Sequence, residues 1–133
     1  MKKSFNIILL SGLILSMMFF SNCEEDGEPN PTILLLGKWI ATTDEASGCT
    51  DSGLNYVDNN PELTQEYFPD GTYILFYELT EISGNYLVTG NTILYQFPER
   101  SVDFEIIDNV LTTVWTNSSD GCTYTTSWNR DEE

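Results

Sequence analysis

The side chains that most often carry chemistry are sparse in this sequence. It contains no histidine, so the commonest general base and the commonest transition-metal ligand are missing. Its three cysteines, Cys23, Cys49 and Cys122, are far apart and form no Cys-x-x-Cys pair. A Gly-rich phosphate loop and a Gly-x-Ser-x-Gly nucleophile elbow are also lacking. Carboxylates are plentiful, with 21 acidic residues against five basic ones and a net charge of −16. Glu66 and Glu78 flank a hairpin and would be a pair for carboxylate hydrolysis, but no spacing selects them, and solvated strand-face charges account for both. The acids of segment 51–58 lack the Asp-x-Asp-x-Asp-Gly order of a calcium loop. The expectation is a non-enzyme with no catalytic residue, metal or cofactor. Its acidity argues against nucleic acid and other polyanions as partners.

The N-terminal segment specifies an address. Met1-Lys2-Lys3 is basic, and residues 5–20 are almost wholly apolar. A charged start and a short apolar run make a secretory signal. The run falls short of the roughly 18 residues of a spanning helix, and an uncleaved anchor is the alternative. Phe20-Ser21-Asn22-Cys23 resembles a lipobox, the site at which signal peptidase II cuts before a diacylated cysteine. Phe20 and Asn22 replace the commoner Leu and Gly or Ala, as in the looser lipoboxes of Bacteroidota. The resemblance implies a signal peptide over 1–22, an acyl (palmitate-type) anchor on Cys23, and residence at the outer membrane on its periplasmic or cell-surface face. An odd cysteine count in a secreted chain leaves one thiol to explain. If Cys23 carries lipid, Cys49 and Cys122 remain to pair in an oxidising compartment; otherwise Cys23 is a free thiol in a tail. Residues 23–33 read as an acidic tether, and acids directly after the cysteine also resemble the surface-export signal of Bacteroidota lipoproteins. Once Lys2 and Lys3 leave with the signal, three basic residues face all 21 acids.

The remainder reads as strands. Runs at 34–43, 63–68, 72–79, 85–88, 92–97, 102–107, 110–116 and 122–129 are rich in Thr, Tyr, Val, Ile and Trp. A long polar loop spans 44–61, and turn chemistry (Pro69-Asp70-Gly71, Gly90-Asn91, Asp108-Asn109) separates most of the others. No segment shows helical periodicity. Eight strands with turns at even spacing predict an all-β, up-and-down antiparallel barrel. A two-residue turn at Asp108-Asn109 puts Val102, Phe104 and Ile106 on one face with Leu111, Thr113 and Trp115. The same logic joins Tyr86 and Val88 to Ile93, Tyr95 and Phe97. At Asp70-Gly71 it joins Phe68 to Tyr73, Leu75, Tyr77 and Leu79, with Tyr67, Ile74 and Phe76 opposite, which leaves the inner face of that hairpin open. A slip of one residue inverts each assignment.

Leu36-Gly37-Lys38-Trp39, Phe68-Pro69-Asp70-Gly71-Thr72-Tyr73, Gly84-Asn85-Tyr86, Gly90-Asn91-Thr92 and Trp128-Asn129-Arg130, in that order, resemble the motifs of bacterial lipocalin-like lipoproteins. The resemblance covers 34–130, with 131–133 an acidic tail. It implies that Gly37, Trp39 and Arg130 close the barrel, Arg130 packing on Trp39 from the neighbouring last strand. In that topology the 44–61 loop lies at the opposite end, where the last strand begins, so Cys49 can reach Cys122.

Two functions remain open. Tyr73, Tyr77, Tyr95, Phe104, Trp115 and Tyr124, with Trp128, could line a cup for a small hydrophobic or amphiphilic ligand. Alternatively the barrel is filled by its own side chains, as an eight-stranded barrel can be, and outer residues such as Tyr67, Ile74 and Phe76 dock a cell-envelope partner. The chain is expected to be a monomer, held to the membrane by its lipid.

Overall fold

The computed structural model describes residues 29–96 and 98–132. The expected signal peptide, Cys23, the first part of the tether and Phe97 lie outside these residues.

The described chain is almost wholly β. Its strands are β1 (Gly37–Ser47), β2 (Tyr56–Asp58), β3 (Leu63–Tyr67), β4 (Thr72–Tyr77), β5 (Thr80–Thr89), β6 (Thr92–Gln96), β7 (Glu99–Ile107), β8 (Val110–Thr116) and β9 (Thr123–Arg130). From β3 to β9 each strand pairs antiparallel with the next, and β1 pairs with both β3 and β9. Those eight strands therefore close into a barrel. The ninth, β2, lies outside the ring and pairs with the far half of β1, Asp44 opposite Asp58 and Ala46 opposite Tyr56. It raises the wall at one end.

The turns explain the registers. Asp108 and Asn109 both have positive φ, 50° and 63°, as a type I′ turn requires. Ile107 therefore pairs with Val110 and Ile106 with Leu111, and Val102, Phe104, Leu111 and Thr113 are buried. Tyr86 pairs with Tyr95 and Val88 with Ile93, so that hairpin also keeps its expected inner face. The turn at 69–71 differs. Phe68 N–H donates to Thr72 O at 2.9 Å, and Asp70 Oδ1 accepts from Thr72 N and Oγ1 at 3.0 and 2.6 Å. Gly71 takes φ +84°. The loop has three residues rather than two, and the extra one moves Tyr67 into register with Tyr73. Tyr67 is consequently buried on the inner face (1% exposed), which settles the face the sequence left open and removes Tyr67 from the outer residues of the docking alternative.

Three other expectations are corrected. Residues 31–35 form a one-turn helix, α1 (Pro31–Leu35), so β1 begins at Gly37 rather than Leu34. Asn30 caps it by accepting from Thr32 N at 3.0 Å, with Pro31 in the first turn, a position where proline loses no hydrogen bond. Leu35, fully buried, plugs the barrel's lower end. The 44–61 loop is shorter than expected, because β1 continues to Ser47 and β2 arises within it. Finally, 72–79 is not one strand: Glu78 takes φ 53°, Tyr77 pairs with Thr80, and Leu79 is fully exposed at the tip of the turn.

The lower half of the interior is solid. Trp39, Tyr67, Ile93, Phe104, Leu111 and Trp128 are buried there as part of one continuous cluster. Trp39 donates its indole N–H to Leu35 O at 2.8 Å, and the Arg130 guanidinium lies over the Trp39 ring at 4.3 Å. Arg130 also donates to the carbonyls of Leu34 and Leu36, groups left without partners where α1 ends. Gly37 has φ +107°, and a Cβ there would stand 3.3 Å from Arg130 Nη1. Gly37, Trp39 and Arg130 thus meet in one seal beneath the barrel.

Candidate functional site, an aromatic cup with a polar wall

Above the solid half lies a cavity of about 440 Å³, within the range of small-molecule sites. It opens at the end opposite the Trp39–Arg130 seal, where the partly exposed rings of Tyr56 and Tyr77 stand. The interior is therefore filled in its lower half and open in its upper half.

The sequence-derived ligand candidates separate accordingly. Tyr77, Tyr95, Trp115 and Tyr124 line the cavity, and the buried Trp128 forms part of its floor. Tyr73 and Phe104 do not. They are buried in the core, Tyr73 edge-on to Tyr95 with ring centroids 4.8 Å apart. Both share a face with the lining residues but sit lower in the barrel, and alternation fixes a face without fixing a height.

Several lining residues were not anticipated. Strand β7 begins at Glu99, three residues before its expected start, and the alternation that points Val102 inward also points Arg100 inward, opposite Tyr95. The same period-two pattern, extended one step back, could have found it. Its guanidinium carbon lies 4.7 Å from the Trp115 ring and 5.3 Å from the Tyr95 ring. Trp115 in turn stacks on Tyr124, centroids 4.6 Å apart and planes 13° apart. A ladder of flat groups thus crosses β7, β8 and β9.

Asp44 arrives by a different route. Strand β1 carries a bulge: Ala41 pairs with Trp128 and Thr43 with Ser127, leaving Thr42 as the extra residue. A bulge re-aims the side chains that follow. Before it Trp39 and Ala41 are buried, and after it Asp44 lines the cavity and Ala46 is buried. Asp44 Oδ1 accepts from Thr126 Oγ1 at 2.7 Å, and Oδ2 accepts from the Tyr56 hydroxyl. Burial, then this hydrogen bond, push the Tyr56 phenol well above its usual range, so it stays protonated and donating.

Lower in the cup, Gln65 Nε2 donates to Tyr95 Oη at 2.9 Å, and Tyr67 and Tyr95 share a hydroxyl–hydroxyl bond. Burial raises both phenols, Tyr95 to about 12 and Tyr67 well above its ordinary value. These are neutral, mutually satisfied groups.

The mouth is braced by the Cys49–Cys122 disulfide. Beside it Asp120 accepts from Cys122 N–H at 2.8 Å and from the Tyr124 hydroxyl at 2.8 Å. Thr50 N–H donates to Asp120 O at 2.9 Å, and Gly121 (φ +70°) lies so close that a Cβ would stand 2.5 Å from Thr50 Oγ1. The acids of segment 51–58 serve local turns, Asp51 accepting from Gly53 N and Asp58 from Asn60 N. Among the described residues no group of three or more acidic or cysteine side chains could hold a metal ion.

Comparison with known protein families, curated proteins and solved structures returned no match.

Proposed function

We propose that this chain is a lipid-anchored, lipocalin-like lipoprotein of the cell envelope whose cup holds a small amphiphilic molecule. The observation that carries the reading is the cavity of about 440 Å³ walled by Tyr77, Tyr95, Trp115 and Tyr124 and sealed below by a solid core. Flat aromatic rings offer a large apolar contact area at low entropic cost, and a few polar groups among them orient what binds. Gln65, Thr113, Asp44 and Arg100 are those polar groups here. The wall mixes aromatic and aliphatic side chains with these polar groups, which favours an amphiphile over a pure hydrocarbon.

The docking alternative has less support. It needs a filled interior, and one of its outer residues, Tyr67, is buried. The membrane address rests on the basic start, the apolar run and Phe20-Ser21-Asn22-Cys23.

The test is mass spectrometry of an organic extract of the natively purified full-length protein, alongside Trp115→Ala. A discrete amphiphile near one equivalent, strongly reduced in the variant, is expected. An extract holding only bulk membrane lipid in both proteins would overturn the reading.

A further inference from the structure

Three basic residues fall within the described chain, and two are engaged outside the cup. Lys38 Nζ lies 2.8 Å from Asp131 Oδ2, and Arg130 seals the lower end. The third, Arg100, stands in the cup wall. Its Nε is buried and meets no hydrogen-bond acceptor. Among the described residues no carboxylate reaches it within ion-pair distance, although the chain has 21 acids. The single carboxylate lining the cup, Asp44, already accepts from Thr126 and Tyr56. A guanidinium remains charged at any accessible pH. Its stacking on Trp115 and Tyr95 offsets part of the cost of leaving water but satisfies none of its N–H groups.

We propose that Arg100 is the anion subsite of the cup and that the ligand is an amphiphile bearing one carboxylate. The inference rests on the cup being a ligand pocket and adds the charge and shape of the ligand's polar end. The planar fork of an arginine matches a carboxylate through two parallel N–H···O bonds. One cation neutralises one negative charge. A dianionic phosphate would leave a charge uncompensated beside Asp44, in a protein whose net charge is already −16. A cationic head group would be repelled by Arg100, and binding of decylamine tests whether Asp44 in the same wall outweighs that repulsion. The apolar body would lie along Trp115, Leu75 and Leu63, which line the same space.

The experiment is calorimetric titration of the full-length protein with decanoate, decanol and decylamine, repeated on Arg100→Gln and Arg100→Lys, with thermal unfolding of each variant to verify folding. In the natural protein decanoate binds at least about tenfold tighter than decanol, as expected for a charge-assisted bond, and decylamine binds weakest. Arg100→Gln brings decanoate down to decanol, while decanol itself changes by less than about threefold. Arg100→Lys, which keeps the charge and loses the fork, retains part of the preference and serves as the decisive variant should Arg100→Gln not fold. Equal affinities for acid and alcohol in the natural protein, a preference for the amine, or an acid preference that survives Arg100→Gln would overturn the anion subsite while leaving the pocket standing. Failure of all three compounds to bind would overturn the pocket and the subsite together.

Discussion

Trp39 and Arg130 show how single side chains support this barrel. Trp39 is fully buried, and Arg130 combines a ring contact with two carbonyl bonds across β1 and β9. Trp39→Ala should cost about 3–5 kcal/mol, as for other buried aromatics. Arg130→Ala should cost about 1–2 kcal/mol. Because the two groups touch, the double variant should fall short of additivity by at least about 0.5 kcal/mol in a urea-unfolding cycle; strict additivity would contradict the shared seal. The buried phenols make a second residue-scale prediction. Burial raises Tyr95 to about 12, and Tyr67 is raised as well, so the folded state keeps protons that the unfolded chain loses near pH 10. Above that pH the unfolded state binds fewer protons, and stability falls as pH rises. Their contribution should be intact below about pH 10 and lost progressively towards about pH 12. Urea unfolding from pH 8 upward, with Tyr95→Phe showing a shallower decline, checks this; a flat profile would contradict it. Trp39 and Arg130 were legible from the sequence through a resemblance of motifs. Arg100 was within reach of simple alternation. Asp44 was not, because only the bulge at Thr42 turns it inward.

At the level of elements, what was legible depended on turn chemistry. Asp108-Asn109 tolerates left-handed backbone, and its hairpin follows directly. Pro69-Asp70-Gly71 also marks a turn, but whether two or three residues make the loop is decided by the Asp70–Thr72 hydrogen bonds, and that one residue places Tyr67 inside. Glu78-Leu79 carries no turn signal, so the β4 run reads through to Leu79, residues 80–84 read as a gap, and only 85–88 of β5 is anticipated. α1 begins at an Asn30-Pro31 cap, but a single turn is too short to show periodicity, and the segment reads as tether and strand. The loops at the mouth depend on the Cys49–Cys122 bridge, whose sequence separation is 73 residues. Closing so long a loop restricts the unfolded chain, and Cys49→Ala/Cys122→Ala should lower stability by roughly 4 kcal/mol. Equilibrium unfolding of the oxidised protein against that variant measures it, and a difference below about 1 kcal/mol would show that the bridge adds little to the fold.

For the whole molecule, closure of the ring by β1 and β9 and the general order of strands could be read from spacing and turns. The division of the interior into a solid lower half and an open cup could not, because it depends on the heights of side chains that share a face. The proposed membrane anchor is a lipid on Cys23. Intact mass of the membrane-fraction protein should exceed that of the bare chain by acyl groups, and Cys23→Ala should remove both the extra mass and the membrane association. An unmodified Cys23 in the membrane fraction would refute the anchor.

If the cup is the binding site, filling it should abolish binding. Leu75 lines the cavity and packs against the core beside Gln65, so Leu75→Trp would place an indole in the space a ligand would occupy. Titrating the neutral fluorophore N-phenyl-1-naphthylamine into the natural protein should give saturable enhancement at one site per chain. The folded Leu75→Trp protein should lose that signal or bind at least about tenfold more weakly. Undiminished binding by the folded, filled variant would place the probe elsewhere and contradict the assignment.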